Sequence, residues 1–311
     1  MILQKIVISG LGGVGGYYGA MLNEYARSEG QGREIHFIAR GEHLARIAER
    51  GLHLTTPTRE LYTHPSTVSD QPSTVGVADL VIVATKSYDL ASNIAQLRPL
   101  IGAHTIVLPL LNGANISEQI RILLPEAEVW QGCTYISGRR PAPGEVLLES
   151  DRESLYFGAG TSEATPAEKE LLNLMLSAGI NAHNPREISL VIRKKFVMIS
   201  ATATGTSYYD MTVGAALSQH PNEMRQLLEE VCALSAAEGY DLGEDPVAAA
   251  VERQQIMPAD STSSMHVDFM AGTSTELENL TGYVVERATT LGLDVPTYRM
   301  MYEGLRQRSK A

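Results

Sequence analysis

Only two cysteines, Cys133 and Cys232, occur in the 311 residues, too few for a disulfide framework. Cys232 falls in an apolar helical pattern with Leu228, Val231 and Leu234, so both are expected to be reduced, structural thiols of a cytoplasmic protein. No apolar run reaches the length that crosses a bilayer, and no leader-like segment precedes the first strand pattern. Neither an internal repeat nor a low-complexity stretch interrupts the chain. Positive charge is also short: 25 Lys and Arg against 36 Asp and Glu leave a formal net charge of −11. That balance argues against nucleic acid or an anionic membrane as partner. An anionic small molecule would have to be held by a few local cations. With 44% apolar and 20% charged residues, the composition is that of an ordinary soluble globular protein. The length allows two domains burying roughly three quarters of the unfolded surface.

What is present is concentrated at the start. The strand-like run Ile6-Val7-Ile8-Ser9 breaks into Gly10-Leu11-Gly12-Gly13-Val14-Gly15, and a helix-compatible segment, Tyr17 to Tyr25, follows. In this G-x-G-x-x-G setting Gly10 makes the tight turn and Gly12 admits a pyrophosphate. Gly15 lets the helix pack on the strand, and the phosphates sit on free N–H groups at the helix start. The expectation is a dinucleotide cofactor. The next strand pattern, Glu34 to Ala39, ends in Arg40-Gly41 rather than in an acid. An acidic side chain would accept from a ribose 2′-hydroxyl, whereas a guanidinium fork suits a 2′-phosphate. NADPH is therefore favoured over NADH.

Strand and helix patterns then alternate. A helix at Glu42 to Glu49 stops at Gly51, and a β-rich excursion covers Leu52 to Val68. Buried strands are read at Asp79 to Ala84 and Thr105 to Leu111, with helices at Tyr88 to Leu97 and Ala114 to Leu123. A strand at Glu128 to Tyr135, a turn at Arg139 to Gly144 and a strand at Glu145 to Leu148 follow. This alternation predicts an α/β, Rossmann-type doubly wound sheet. From Pro185, read as a first-turn proline, helical patterns take over: Glu187 to Thr202, Glu223 to Ala237 and Ser274 to Leu291. The expected division is a dinucleotide-binding domain at 1–184 and an all-helical substrate domain at 185–311.

Four further pieces stand in one order: Thr85-Lys86, Leu111-Asn112-Gly113, Lys194-Lys195-Phe196, and Ser263-Ser264-Met265 with Asp268 and Thr275-Glu276. With the glycine loop and Arg40, this order resembles the ketopantoate reductase (2-dehydropantoate 2-reductase) family over nearly the whole chain. The interval from Ser264 to Glu276 is its most specific part. The resemblance implies NADPH-dependent reduction of a 2-oxo acid to a 2-hydroxy acid in pantothenate synthesis, in a cleft between two domains. A small-molecule substrate is implied, no metal is expected, and a homodimer is left open.

Residue by residue, Lys195 resembles the family lysine that donates a proton to the keto oxygen, a role suited to a cation beside a developing alkoxide. Lys194 points about 100° away around the helix. Without the resemblance, both lysines would read as a solvated face. Glu276 resembles the glutamate that holds the substrate hydroxyl, although Glu278 and Glu286 lie on the same helical pattern. Ser264 would donate to the substrate carboxylate; by residue type alone it reads rather as an N-cap within Ser261-Thr262-Ser263-Ser264. Asn112 follows a buried strand and would contact cofactor and substrate, or simply make a turn before Gly113. Lys86 resembles a cofactor contact, and Gly138 aligns with a small residue whose backbone touches the cofactor. Leu11, Gly13 and Val14 complete the cofactor loop.

The pattern also departs from the family. Arg193 stands where members often carry Trp, and Ile199 and Ala203 stand where many carry substrate-binding asparagines. Ser200, Thr202, Thr204 and Thr206 could supply hydroxyls in their place. The alternatives are an NADP-dependent reductase of another 2-oxo acid and a non-catalytic NADP(H)-binding redox sensor.

Overall fold

The computed structural model describes residues 3–30 and 32–308. Strand β1 (Lys5–Ser9) leads through α1 (Gly13–Glu29) to β2 (Glu34–Ile38), which pairs with β1 in parallel. Helix α2 (Gly41–Arg50) and the excursion strands β3 (Leu52–Thr55) and β4 (Glu60–Thr63) precede β5 (Thr67–Ser69) at the sheet edge. Beyond β1 on its other side lie β6 (Leu80–Val83), β7 (Ile106–Pro109) and β8 (Glu128–Val129), linked by α3 (Leu90–Leu97) and α4 (Ile116–Leu123). The order β5-β2-β1-β6-β7-β8 is the 3-2-1-4-5-6 order of the doubly wound dinucleotide fold, with β3 and β4 set aside.

The strands are apolar on both faces because both are covered. Ile6, Ile8, Leu80, Ile82, Ile106 and Leu108 enter one core cluster, while Val7, Val81, Val83 and Val107 enter another. Each fully buried aliphatic side chain contributes roughly 1.5–3 kcal/mol. This two-sided burial dominates the stability of the sheet.

The expected strand from Glu128 to Tyr135 is in fact two. β8 belongs to the parallel sheet, whereas β9 (Gln131–Tyr135) pairs with β12 (Ser154–Gly158) in a separate three-stranded sheet completed by β13 (Ala182–His183). The fully buried Trp130 makes the switch, its N–H bonded to the Val107 carbonyl at 3.0 Å and its indole donating to Glu128 at 2.7 Å. A third sheet joins β3 and β4 to the hairpin β10 (Gly138–Arg139) and β11 (Glu145–Leu148). Helix α5 (Pro166–Ser177), absent from the sequence reading, opens with a capping box between Thr165 and Glu168.

The helical part comprises α6 (Ile188–Tyr209), α7 (Val213–Gln219), α8 (Pro221–Ala237), α9 (Pro246–Gln255), α10 (Ser264–Met270), α11 (Tyr283–Leu291) and α12 (Pro296–Arg308). Pro185 lies three residues before α6 and is not a first-turn proline, because Asn184 first ties the chain to the Phe157 carbonyl at 2.9 Å. The expected helix from Ser274 to Leu291 is interrupted: Glu278–Gly282 form a π-helical turn ahead of α11. A Cβ on Gly282 would lie 2.9 Å from the Glu278 carboxylate and 3.2 Å from the Tyr302 ring, so both side chains lie over this glycine.

By internal contacts the chain forms two compact units. One holds the residues up to Leu111 together with Asn115–Ser189; the other holds Asn112–Ala114 and everything from Leu190. Its two thiols are buried, and burial pushes that of Cys232 up to about 11. Among the described residues no helix is long and apolar enough to cross a membrane.

Candidate functional site

The first unit presents a glycine-lined cradle at the carboxyl end of β1. Gly10 has φ +92°, and a Cβ there would lie 2.6 Å from the backbone of Ala84 and Thr85. Only glycine fits this turn. A Cβ on Gly15 would sit 2.1 Å from the Gly10 carbonyl, so the loop closes directly over its own helix. Gly12 is different: its φ of −78° suits any residue, yet nothing lies within 4 Å of where its Cβ would point. That is the open face of the loop.

Helix α1 starts there with no side-chain cap and no acid in its first turn. Its first hydrogen bond runs from Gly16 N–H to the Gly12 carbonyl at 2.9 Å, so the N–H groups before it have no partner within the helix. Leu11 is buried and Val14 packs against the core, leaving the loop's backbone to make the cradle. The buried hydroxyl of Thr85, next to the loop, has no hydrogen-bond partner. An unpaired buried hydroxyl costs about 1–3 kcal/mol, so a ligand atom that engaged it would recover that penalty. A positive helix end, an open glycine face and an orphaned hydroxyl fit a dinucleotide pyrophosphate.

Gly138 and the segments that carry Arg40 and Lys86 lie toward the same end of the sheet as this cradle. Gly138 abuts the loop, for a Cβ on Gly13 would lie 2.1 Å from the Gly138 carbonyl oxygen. Ser9 is in register with Ile38 and with Val83, so the segments leading to Arg40 and Lys86 leave the sheet at the same end as the loop. Arg40 is exposed, stands at the N-cap of α2 and makes no ion pair among the described residues. Lys86 is half-buried at the start of a short 3₁₀ turn, Ser87–Asp89.

The second unit gathers other chemistry. Lys195, half-buried on α6, donates from Nζ to Asn112 Oδ1 at 2.8 Å. Asn112 is 83 positions away in sequence and belongs to the same compact unit. A lysine ammonium has three N–H donors, and the amide carbonyl fixes the direction of one. Glu276 is 4% exposed, two residues before the π-helical turn, and its carbonyl accepts from Leu280 N–H at 3.1 Å. Glu278 and Glu286, its rivals on the same stretch, are both exposed. A buried carboxylate is costly unless it is paired or hydrogen-bonded, so burial sets Glu276 apart from its exposed neighbours. Ser264 is exposed at the first position of α10; the cap itself is Ser263, whose hydroxyl accepts from His266 N–H at 3.1 Å. Of the two roles open to Ser264, capping therefore falls to its neighbour.

The hydroxyls of α6 do not replace the missing amides. Ser200 bonds Tyr298, Thr204 bonds Thr281, and Thr206 back-bonds to the Thr202 carbonyl at 2.8 Å. Thr202 donates to the Met198 carbonyl and accepts from the buried Gln254 amide at 2.9 Å. All four are buried and committed to the fold. Ile199 and Ala203 join the helical core.

Arg193 is the largest surprise. It is 3% exposed and pairs with Glu238 at 2.8 Å, which also binds Arg287 at 2.8 Å. Its guanidinium lies 4.3 Å from the Tyr240 ring centroid. Burial works against its charge, but Tyr283 and Glu238 outweigh that and hold the guanidinium above its ordinary pKa. A cation stacked among aromatic rings thus fills a position that a tryptophan could fill.

Comparison with known proteins gives the family. Residues 6–162 match the family model "Ketopantoate reductase PanE/ApbA", and residues 187–309 match its C-terminal counterpart. The 2-dehydropantoate 2-reductase of Halobacterium salinarum is 30% identical over 312 residues, covering 97% of this chain and 98% of that protein. The crystal structure of 2-dehydropantoate 2-reductase from Porphyromonas gingivalis W83 is similar at 44% identity and a TM-score of 0.87, covering 98% of this chain and 100% of that one. D-mandelate dehydrogenase, solved with NADH and anilino(oxo)acetate, shares the fold at 22% identity and a TM-score of 0.85, over 98% of both chains.

Proposed function

We propose that this chain, which belongs to the ketopantoate reductase family of oxidoreductases, catalyses the NADPH-dependent reduction of 2-dehydropantoate to pantoate. The observation that carries this reading is the Lys195 ammonium fixed on the Asn112 carbonyl at 2.8 Å. In the proposed division of labour, residues 1–184 hold the dinucleotide and residues 185–311, with Asn112, hold the 2-oxo acid.

The loop Gly10 to Gly15 would take the pyrophosphate, Arg40 the 2′-phosphate, and Lys86, Gly138 and Asn112 the rest of the cofactor. When bound, NADPH supplies a hydride to the keto carbon. Lys195 stabilises the negative charge growing on the keto oxygen and gives it a proton, which converts carbonyl to hydroxyl. General acid help of this kind is worth ~10²–10⁴-fold. Asn112 keeps the ammonium aimed, so little reorganisation accompanies the step. Glu276 accepts a hydrogen bond from the substrate hydroxyl, and Ser264 donates one to the carboxylate. Because the net charge is −11, the substrate anion is held by these local groups rather than by the overall field. An NADPH-fed reductase with buried thiols fits the cytoplasm.

A second reading, reduction of a different 2-oxo acid, is favoured by Ile199 and Ala203, whose apolar side chains pack into the helical core. NADPH oxidation followed by absorbance, with ketopantoate and a panel of aliphatic and aromatic 2-oxo acids, separates the two. Ketopantoate should give the highest kcat/KM. A strong preference for another acid would establish the second reading, and no turnover with any would overturn both.

A further inference from the structure

Helix α10, which begins with Ser264, has only seven residues, too few to hold its own direction. Its position is set by a chain of side-chain hydrogen bonds. Thr262 Oγ1 meets His266 Nδ1 at 2.6 Å, and His266 Nε2 meets Asp210 Oδ1 at 2.7 Å. Ser263 is bonded to Thr206 of α6 at 2.8 Å. The segment before the helix is pinned too: Val213 and Gly214 N–H groups donate to the Ser261 and Ala259 carbonyls at 2.9 and 3.0 Å.

Asp210 is the one non-glycine residue with positive φ, +58°, among those described. Aspartate tolerates this conformation better than most residues. It ends α6 and turns a carboxylate onto an imidazole that is 8% exposed. The carboxylate can only accept, so Nε2 carries the proton, while the Thr262 hydroxyl serves Nδ1 as either donor or acceptor.

We propose that Asp210 and His266 are positioning residues that hold Ser264 in place for the substrate's carboxylate. The inference rests on the role given to Ser264 in the proposed function. Neither residue touches substrate in this scheme; both act through the first turn of α10.

Steady-state NADPH oxidation with 2-dehydropantoate tests it, beside NADPH titration and thermal unfolding. Asp210→Gly removes the carboxylate, and glycine adopts φ +58° without strain. It should raise KM for the 2-oxo acid about tenfold, with kcat within about threefold and KM for NADPH unchanged. His266→Ala should do the same. Asp210→Asn keeps an acceptor oxygen and tolerates the conformation, so it should restore near-wild-type KM. Ser264→Ala should itself raise that KM, and Asp210→Gly added to it should cause little further change. Unaltered KM in Asp210→Gly, or effects that add fully to those of Ser264→Ala, would overturn the positioning role. So would a loss of thermal stability in which kcat and both KM values worsen together. If Ser264→Ala has no effect, the assignment of Ser264 fails and the positioning role fails with it. If Ser264→Ala is impaired while Asp210→Gly is not, only the positioning role fails.

Discussion

Gly12 and Gly10 stand two residues apart, and a single methyl group should act on them in opposite ways. At Gly12 the backbone (φ −78°, ψ −160°) is open to alanine, and the new methyl would meet nothing within 4 Å. Restricting the unfolded chain favours Gly12→Ala by about 0.4–1 kcal/mol, while alanine is the poorer N-cap by a similar amount. Net stability should therefore stay within about 0.5 kcal/mol of wild type. The same methyl stands on the open face where phosphates approach. Losing one or two charge-assisted hydrogen bonds there, at about 1.5–3 kcal/mol each, weakens NADPH by about tenfold or more. At Gly10 the left-handed φ of +92° costs a side chain about 1–2 kcal/mol. A methyl 2.6 Å from the backbone of Ala84 and Thr85 adds about 1–3 kcal/mol of strain. Gly10→Ala should thus be destabilised by about 3 kcal/mol before binding is considered. Urea unfolding and NADPH fluorescence titration on both variants give the two readouts. A well-folded Gly12→Ala protein that binds NADPH like wild type would refute the cradle.

Arg40→Ala should weaken NADPH by about 1.5–3 kcal/mol and leave NADH almost unchanged, measured by titration; equal losses would show that Arg40 does not read the 2′-phosphate. Arg193→Ala should lose about 3 kcal/mol in urea unfolding, since it removes the buried cation that faces Glu238 and leaves that carboxylate with the more exposed Arg287 and the Tyr283 hydroxyl. A loss below about 0.5 kcal/mol would mean that the buried pair is energetically idle. Glu153 is 7% exposed, and burial raises its carboxyl pKa against the hydrogen bonds from Asn181 and Tyr18. Its folded value lies above the unfolded one, so its contribution is most favourable below the unfolded pKa and declines as pH rises through the folded one. Glu153→Gln should therefore be more stable than wild type at neutral pH, with the gain vanishing in acid below the usual carboxylate range. A gain that grew in acid would contradict the assignment.

Much of the first unit was legible because its signals are local. The apolar run into Gly10, Gly12 and Gly15, and the arginine ending the second strand, depend on residues close in sequence. The change of sheet at Trp130 was not legible, since an unbroken β pattern cannot say which partner strand each half finds. Helix α5 could have been read: Thr165-Pro166-Ala167-Glu168 is a capping box with proline at the first turn. The Lys195–Asn112 bond joins residues 83 positions apart, and no periodicity reports such a contact. Periodicity also could not show that Glu276 is buried while Glu286 is exposed, because the π-helical turn lies between them and shifts the phase. Arg193 read as a departure from a pattern, and its stacking on Tyr240 follows only from the packed helices.

The central claim is that Lys195 is the proton donor at the keto oxygen, and kcat of Lys195→Ala beside Lys194→Ala tests it most directly. With 2-dehydropantoate and saturating NADPH, Lys195→Ala should lose about 100-fold or more in kcat while still binding NADPH. Lysine to arginine at 195 should rescue poorly, because a guanidinium gives up its proton far less readily. Lys194→Ala should stay near wild type. Near-normal kcat in Lys195→Ala, or loss confined to Lys194→Ala, would contradict the account.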